Sequence, residues 1–311
     1  VKEETKVPEL RLVMDIGTNS VRLLAARITG GGIKTLEKRL ITTRLGKDAG
    51  ADGTLSAASM ARTVAGAREL LDYGRGRYPG ALPVLAFGTS ALREAPNRVE
   101  FMDMLYKETG LSVDVVSGEE EARLAFAGAA EGEGRLGVID IGGGSTELIV
   151  GEGRRVAYTQ SMPVGAVRLA GRFALAGALS AGETDALCAA VCTALEAYTL
   201  TPDEARSAAW VGVGGTITTI GAMEAGLTMY TPEAVQRLRL DAGVVRKWFL
   251  RLAAMPPEEK RGLPGLPADR ADIITGGACI LHLFMERFGV ERLRVSDRDN
   301  LEGYLLLHDT K

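Results

Sequence analysis

The chain has 311 residues, 46% of them apolar and 25% charged, which is enough material for two substantial hydrophobic cores. A formal net charge of -3 gives no long-range attraction to nucleic acid, so any anionic ligand must be held by a local set of donors. The charged, proline-containing opening VKEETKVPEL and the lack of any later run of about eighteen apolar residues argue against a signal peptide and a membrane span.

In chain order, residues 11–16 and 20–28 read as an antiparallel hairpin, and 33–42 as a third strand beside it. A polar connection over 47–54 leads to a helix at 57–72 with Ser56 as its N-cap. Residues 83–88 form a short strand ending in Gly88-Thr89-Ser90. A helix near 98–108 and a strand at 113–116 follow, and then a helix that opens at Gly118. Its first turn carries Glu119, Glu120 and Glu121, where the positive end of the helix dipole favours acidic side chains.

The second half repeats the plan, with strands at 136–141, 146–151 and 154–161 and helices at 163–176 and 182–198. Trp210 to Val213 is a strand running into Gly214-Gly215-Thr216 and a helix. A proline-punctuated connection over 256–267, a helix at 268–288, a strand at 292–296 and a helix at 299–308 complete the chain. Trp210, Phe284 and Phe288 read as core, as do three reduced cysteines, Cys188, Cys192 and Cys279, whose spacing suits neither a disulfide framework nor zinc. Reduced thiols make a cytoplasmic setting the default. This recurring order predicts duplicated α/β domains, 1–125 and 126–311, with the helix at 299–308 packing back on the first.

Two turns carry the chemistry. MDIGTNSVRLL, with Asp15, and IDIGGGSTELI, with Asp140, repeat at an offset of 125 residues. Each has an apolar strand delivering a carboxylate to a glycine-rich turn, a combination that suits a phosphate or a phosphate-bound metal. A pair of such turns implies a cleft between two related domains. Asp15 and Asp140 would repel one another across that cleft unless a divalent cation lay between them, so they are expected to form a Mg²⁺ site, with Glu147 on the same turn binding the metal or its water. Arg22 holds the position equivalent to Glu147 and reads as structural.

Gly142, Gly143, Gly144, Ser145 and Thr146 are the strongest phosphate cradle, because glycine lets amides approach an anion unhindered and the hydroxyls add donors. No lysine follows, so this is not a Walker loop. Gly17, Thr18, Asn19 and Ser20 form the lighter version. Gly214, Gly215 and Thr216 should place a helix N-terminus where an anion could sit, without the acidic residue that a dinucleotide fold requires. Arg93 can hold a phosphoryl group or pair with Glu94. The three glutamates from Glu119 point about 100° apart, so at most two can face a cleft, and local sequence does not choose a general base among them. His282 and His308 have no partner at nucleophile-base spacing.

Through DIGTNSVRLL, GTSALREAPN, VSGEEEARLAF, IDIGGGSTEL, VGVGGTITTI and RADIITGGACIL the sequence resembles, over essentially its whole length, the exopolyphosphatase and guanosine pentaphosphate phosphohydrolase (Ppx/GppA) family. The resemblance implies duplicated ribonuclease-H-like domains of the actin, Hsp70 and sugar-kinase superfamily, with an active-site cleft between them, in the family's short two-domain form. It implies that Glu121 is the catalytic base, that Asp140 and Glu147 arrange the metal or the attacking water, and that Asp15 does so from the opposite domain. Arg93, Asn19, Ser20, Gly143, Gly144 and Ser145 would hold phosphates.

The implied activity is removal of the terminal phosphate of inorganic polyphosphate. Hydrolysis of guanosine pentaphosphate, alone or as a second activity, is the alternative, and a kinase or a non-enzymatic sensor of phosphate ligands is less favoured. Mg²⁺ or Mn²⁺, K⁺ and a homodimer are implied on the same basis, with no nucleic-acid or membrane partner. One departure stands out: Leu301 occupies a position where the family usually has arginine.

Overall fold

The computed structural model describes residues 9–29, 32–50, 52–81, 83–132, 134–153 and 155–308. The charged opening falls, up to Pro8, outside the described residues. The chain divides into two compact units, Val1–Gly128 with Asn300–Lys311, and Ala129–Asp299.

The first unit begins with a meander of β1 (Glu9–Ile16), β2 (Ser20–Thr29) and β3 (Gly32–Thr42). Then come α1 (Ala57–Arg77), β4 (Val84–Gly88), α2 (Ser90–Glu94), α3 (Arg98–Thr109), β5 (Asp114–Val115) and α4 (Gly118–Ala129). The sheet order is β3-β2-β1-β4-β5, antiparallel through the meander and parallel from β1 to β5.

Central β1 is apolar on both faces because both are covered. Leu12 and Met14 join a cluster with Leu70, Phe101 and Leu105 of α1 and α3, whereas Val13 joins Phe87, Leu124, Leu301 and Tyr304 on the other side. Helix α1 starts where Ser56 accepts from the Ser59 amide, and it runs five residues beyond the predicted end at 72.

The second unit repeats the meander as β6 (Arg135–Ile141), β7 (Thr146–Glu152) and β8 (Arg155–Met162). It continues with α5 (Ala166–Ala170), α6 (Ala181–Glu196), α7 (Pro202–Arg206), β9 (Ala209–Val213), α8 (Gly214–Glu224), α9 (Pro232–Val235), β10 (Arg239–Asp241) and α10 (Ala242–Ala254). Then follow α11 (Pro257–Arg261), a 3₁₀ turn at Ala268–Arg270, α12 (Ile274–Phe288) and β11 (Arg292–Val295). The sheet order is β10-β11-β9-β6-β7-β8, with β6, β9 and β11 parallel. Trp210 packs edge-on to Phe284, 4.8 Å between centroids.

Three expectations are corrected here. The predicted helix at 163–176 shrinks to α5, because the buried Lys260 ammonium holds the following loop through the carbonyls of Leu175 (2.8 Å) and Gly177 (3.0 Å). The predicted helix at 268–288 begins only at Ile274, after the 3₁₀ turn. Cys279 is buried with its sulfur 3.9 Å from that of Cys188, but Cys192 is exposed and is not a core residue. Helix α10 had no sequence assignment, although its buried Val245, Trp248, Phe249 and Leu252 recur at helical spacing.

The last element, α13 (Asn300–His308), belongs to the first unit. It crosses α4 so closely that a Cβ on Gly303 would fall 1.8 Å from the Leu124 carbonyl oxygen. Tyr304 stacks on Phe87 at 4.7 Å. Glu302 is fully buried, and its charge is met by Lys38 at 2.9 Å and by the Thr35 hydroxyl. Leu301 lies in the apolar cluster with Val13 and Phe87, which accounts for an uncharged side chain there.

Candidate active site

In the first unit the turn after β1 is closed by Gly17 N–H donating to the Ser20 carbonyl at 3.0 Å. Its other carbonyls are taken by the loop after β3: Asn19 accepts from the amides of Thr43 and Arg44, and Thr18 from Gly46. Asp15 stands directly across from Arg22 in the β1–β2 register, and Arg22 donates to its Oδ2 from Nε (2.9 Å) and Nη2 (2.6 Å). The Asp15 charge is thus compensated within its own hairpin, and Arg22 is its partner.

Parallel pairing of β4 with β1 carries Thr89 to the same end of the sheet as Asp15, with Thr89 N–H on the Ile16 carbonyl. Arg93, on α2, donates through Nη1 to the Val116 carbonyl at 3.1 Å and to Glu121 Oε2 at 2.8 Å. Glu94, the residue expected from sequence to pair with Arg93, accepts from the Ser90 hydroxyl at 2.9 Å.

The three glutamates at the start of α4 separate as their 100° spacing requires. Glu119 pairs with exposed Arg123, and Glu120 turns back to cap the Ser117 amide, which holds its carboxyl below the usual range. Glu121 alone is buried, at 5% exposure. Burial pushes its carboxyl from the ordinary 4.5 up to about 7, outweighing the opposing pull of Arg93, while nearby Asp15 adds to the rise.

In the second unit the corresponding hairpin puts Asp140 directly across from Glu147. Where the first unit sets an arginine against its aspartate, this one sets two buried carboxylates on one face of a strand pair. Ser161, across from Glu147 on β8, donates its hydroxyl to Glu147 Oε1 at 2.6 Å.

The glycine turn between these strands is fastened by its carbonyls. Gly142 O accepts from Ala166 N–H (3.0 Å), Gly143 O from the amides of Val167 and Arg168 (2.9 and 3.0 Å), and Gly144 O from Arg168 Nε (2.8 Å). A Cβ on Gly165 would sit 2.5 Å from Gly143 O, so the turn and α5 touch backbone to backbone. With the carbonyls turned toward α5, the amides of Gly143, Gly144 and Ser145 donate to no backbone carbonyl among the described residues. Such amides can receive an anion.

Gly214 opens α8 beside this turn with φ +85°, and a Cβ there would lie 2.5 Å from Asp140 Oδ1. Val213, at the N-cap, makes no side-chain cap hydrogen bond, and a helix N-terminus of this kind suits an anion. Thr216 follows, buried against Gly277. One residue missed from the sequence stands here: Arg270 lays its guanidinium on Gly215, close enough that a Cβ would meet Nη1 at 1.6 Å. The early start predicted for the helix at 268–288 hid it, although its place in the RADIITGG segment was visible.

The structure therefore groups Asp15, Gly17, Thr18, Asn19, Ser20, Arg93 and Glu121 in the first unit, and Asp140, Gly142, Gly143, Gly144, Ser145, Glu147, Gly214, Gly215 and Thr216 in the second. Among the described residues no group of three or more His, Cys, Asp or Glu side chains gathers as a metal site, and no helix is long and apolar enough to cross a membrane.

A family model described as the Ppx/GppA phosphatase family matches residues 24–308. Exopolyphosphatase 2 of Mycobacterium tuberculosis is 32% identical over 311 residues, covering 94% of this chain and 96% of the relative. Among solved structures, a Ppx/GppA family member of Aquifex aeolicus matches with a TM-score of 0.80 at 30% identity, over 98% of this chain and 100% of that one. An exopolyphosphatase from Cytophaga hutchinsonii matches with a TM-score of 0.82 at 25% identity, over 97% and 99%. The two mixed sheets flanked by helices are the duplicated ribonuclease-H-like architecture of those family structures.

Proposed function

The chain belongs to the Ppx/GppA phosphatase family, and on that premise we propose that it is an exopolyphosphatase, releasing the terminal phosphate of inorganic polyphosphate by attack of water. The observation that carries this reading is Glu121, the one glutamate of three that is buried, tied to Arg93 and shifted up to about 7. A carboxylate of that basicity accepts a proton from water far better than an exposed one.

In the proposed reaction the Glu121 carboxylate takes a proton from the attacking water as its oxygen bonds to the terminal phosphorus. The anhydride bond breaks, leaving its electron pair on the shortened chain. Arg93 fixes Glu121 and presents a guanidinium to phosphoryl oxygen. The amides of Gly143, Gly144 and Ser145, with the α8 N-terminus at Gly214 to Thr216, stabilise the charge that develops on the terminal phosphate. Arg270 reinforces that helix end. Gly17, Thr18, Asn19 and Ser20 contribute the lighter phosphate contacts.

The donors present fit a hard divalent cation: Asp140 and Glu147 set two buried carboxylates directly across a strand pair, whereas Asp15 faces Arg22. Mg²⁺ is commonly held by one or two carboxylates plus substrate phosphate rather than by an all-protein cage. Asp140 and Glu147 would hold Mg²⁺ or Mn²⁺, and the ion would supply neutralisation of phosphate charge.

The test is orthophosphate release, with Mg²⁺ present, from polyphosphate and from guanosine pentaphosphate. Release from polyphosphate is expected. Turnover of guanosine pentaphosphate with polyphosphate inert would reassign the substrate, and release from neither would end the reading as a phosphohydrolase. Glu121→Ala should lower turnover by about 10² to 10⁴ while polyphosphate still binds; retained turnover removes Glu121 as the base.

A further inference from the structure

A second set of charges in the second unit is out of balance. Glu131 forms ion pairs with three arginines at once: Arg298 Nη1 at 2.9 Å, and Arg237 Nη2 and Arg294 Nη1 at 3.5 Å each. A fourth, exposed Arg239, stands directly across from Arg294 in the β10–β11 register and enters no salt bridge among the described residues. Like charges directly opposed on one face of a strand pair repel. Asp241 is shared between Arg292 and Arg239, which leaves Glu131 to meet the other three guanidiniums, where a purely structural ion pair would need only one. Arg298 Nε is moreover buried with no hydrogen-bond partner among the described residues, an unmet donor beside an excess of positive charge.

The cluster is built rather than incidental. The Arg237 amide donates to the Val295 carbonyl at 2.9 Å and holds that residue at φ 71°, a region costly for a non-glycine side chain. Ser296 N–H donates to the Gly212 carbonyl at 2.9 Å, and the Ser296 hydroxyl accepts from Arg298 N–H at 3.1 Å. Its place in the sheet is also defined. Strands β6, β9 and β11 run parallel and adjacent, so Asp140, Gly214 and the loop from Ser296 to Arg298 all lie at the C-terminal edge of one sheet. At about 4.8 Å per strand, the end of β11 is on the order of 10 Å from that of β6, a span that several linked phosphates can cross.

We propose that Arg237, Arg239, Arg294 and Arg298 form a subsite for the phosphate units that follow the terminal one in a linear oligophosphate, with Glu131 as the counter-ion which that chain displaces. This rests on the phosphohydrolase reading, because the terminal unit is taken to sit at the glycine cradle. Arginine suits the role, since its planar fork pairs with two phosphate oxygens and keeps its charge at any working pH. The ligand is a run of phosphate anhydrides, whether free polyphosphate or the phosphate tail of a nucleotide.

The test measures Kd by titration calorimetry for long-chain polyphosphate, tripolyphosphate and guanosine pentaphosphate, in a Glu121→Gln background that prevents turnover. Arg237→Ala/Arg239→Ala, both at exposed positions, should weaken long-chain polyphosphate about tenfold and flatten its salt dependence, with a smaller change for tripolyphosphate. Glu131→Gln should tighten the long chain, and Arg292→Ala, whose partner is Asp241, should change nothing. A selective loss for guanosine pentaphosphate instead would assign the subsite to a nucleotide tail. An unchanged ratio of long-chain to tripolyphosphate affinity, or weaker binding in Glu131→Gln, overturns the subsite, as does single-stranded DNA competing as well as polyphosphate. Turnover is scored separately on the parent protein: hydrolysis with an unchanged ratio discards only the subsite, whereas binding shifts without hydrolysis discard only the enzymatic reading.

Discussion

Glu121 and Arg93 form a 2.8 Å ion pair in which the carboxyl nevertheless titrates high, because the loss of hydration at 5% exposure outweighs one guanidinium contact. The same shift sets two pH dependences. Only the ionised carboxylate accepts a proton, so activity should fall on the acid side with a midpoint near 7, as read from kcat over a pH series. Stability runs the other way. Between 4.5 and about 7 the folded state holds a proton that the unfolded chain has released, so the Glu121 contribution favours folding at low pH and is lost as pH rises through that window. Glu121→Gln should therefore unfold at a higher temperature than the parent at pH 8, with the gap closing at pH 5; a gap that widened toward pH 5 would mean that Glu121 is stabilised as the anion.

At the scale of elements, the two repeated hairpins differ at one cross-strand position. Arg22 stands opposite Asp15 and donates to it, whereas the residue opposite Asp140 is a second carboxylate, Glu147. On the proposed reading the second hairpin holds the cation through its two carboxylates, and its neighbour α8 supplies the anion site through Gly214. The conformation there, φ +85°, disfavours any Cβ, and one would also press on Asp140 Oδ1 at 2.5 Å and the Ile141 carbonyl oxygen at 2.9 Å. Gly214→Ala is expected to cost about 1–2 kcal/mol in stability and to raise KM for polyphosphate, because the α8 amides and Asp140 must part. Calorimetry and initial rates check this, and an unchanged KM would remove the α8 N-terminus from the phosphate site.

At the scale of the whole molecule, residues 300–308 return to complete the first unit, covering the Val13 and Phe87 face of β1 and β4 with Leu301, Tyr304 and Leu305. Tyr304→Ala removes the stack on Phe87 and the hydroxyl bond to Asp114, at a cost of about 3 kcal/mol. Hydrogen exchange should accelerate in β1, β2 and β4 while the second unit keeps its protection; uniform acceleration would mean that the two units unfold as one. The sequence by itself determined the duplicated strand order, the repeated carboxylate turns and the glycine cradle, because hydrophobic period and turn chemistry are properties of neighbouring residues. It left open which of Glu119, Glu120 and Glu121 is buried, that Arg270 lies on Gly215, where the helix at 274–288 begins, and that Arg237, Arg294 and Arg298 meet on Glu131. Those were decided only by the tertiary structure, since burial and charge compensation depend on groups that the chain separates by tens to hundreds of positions and packing alone brings together.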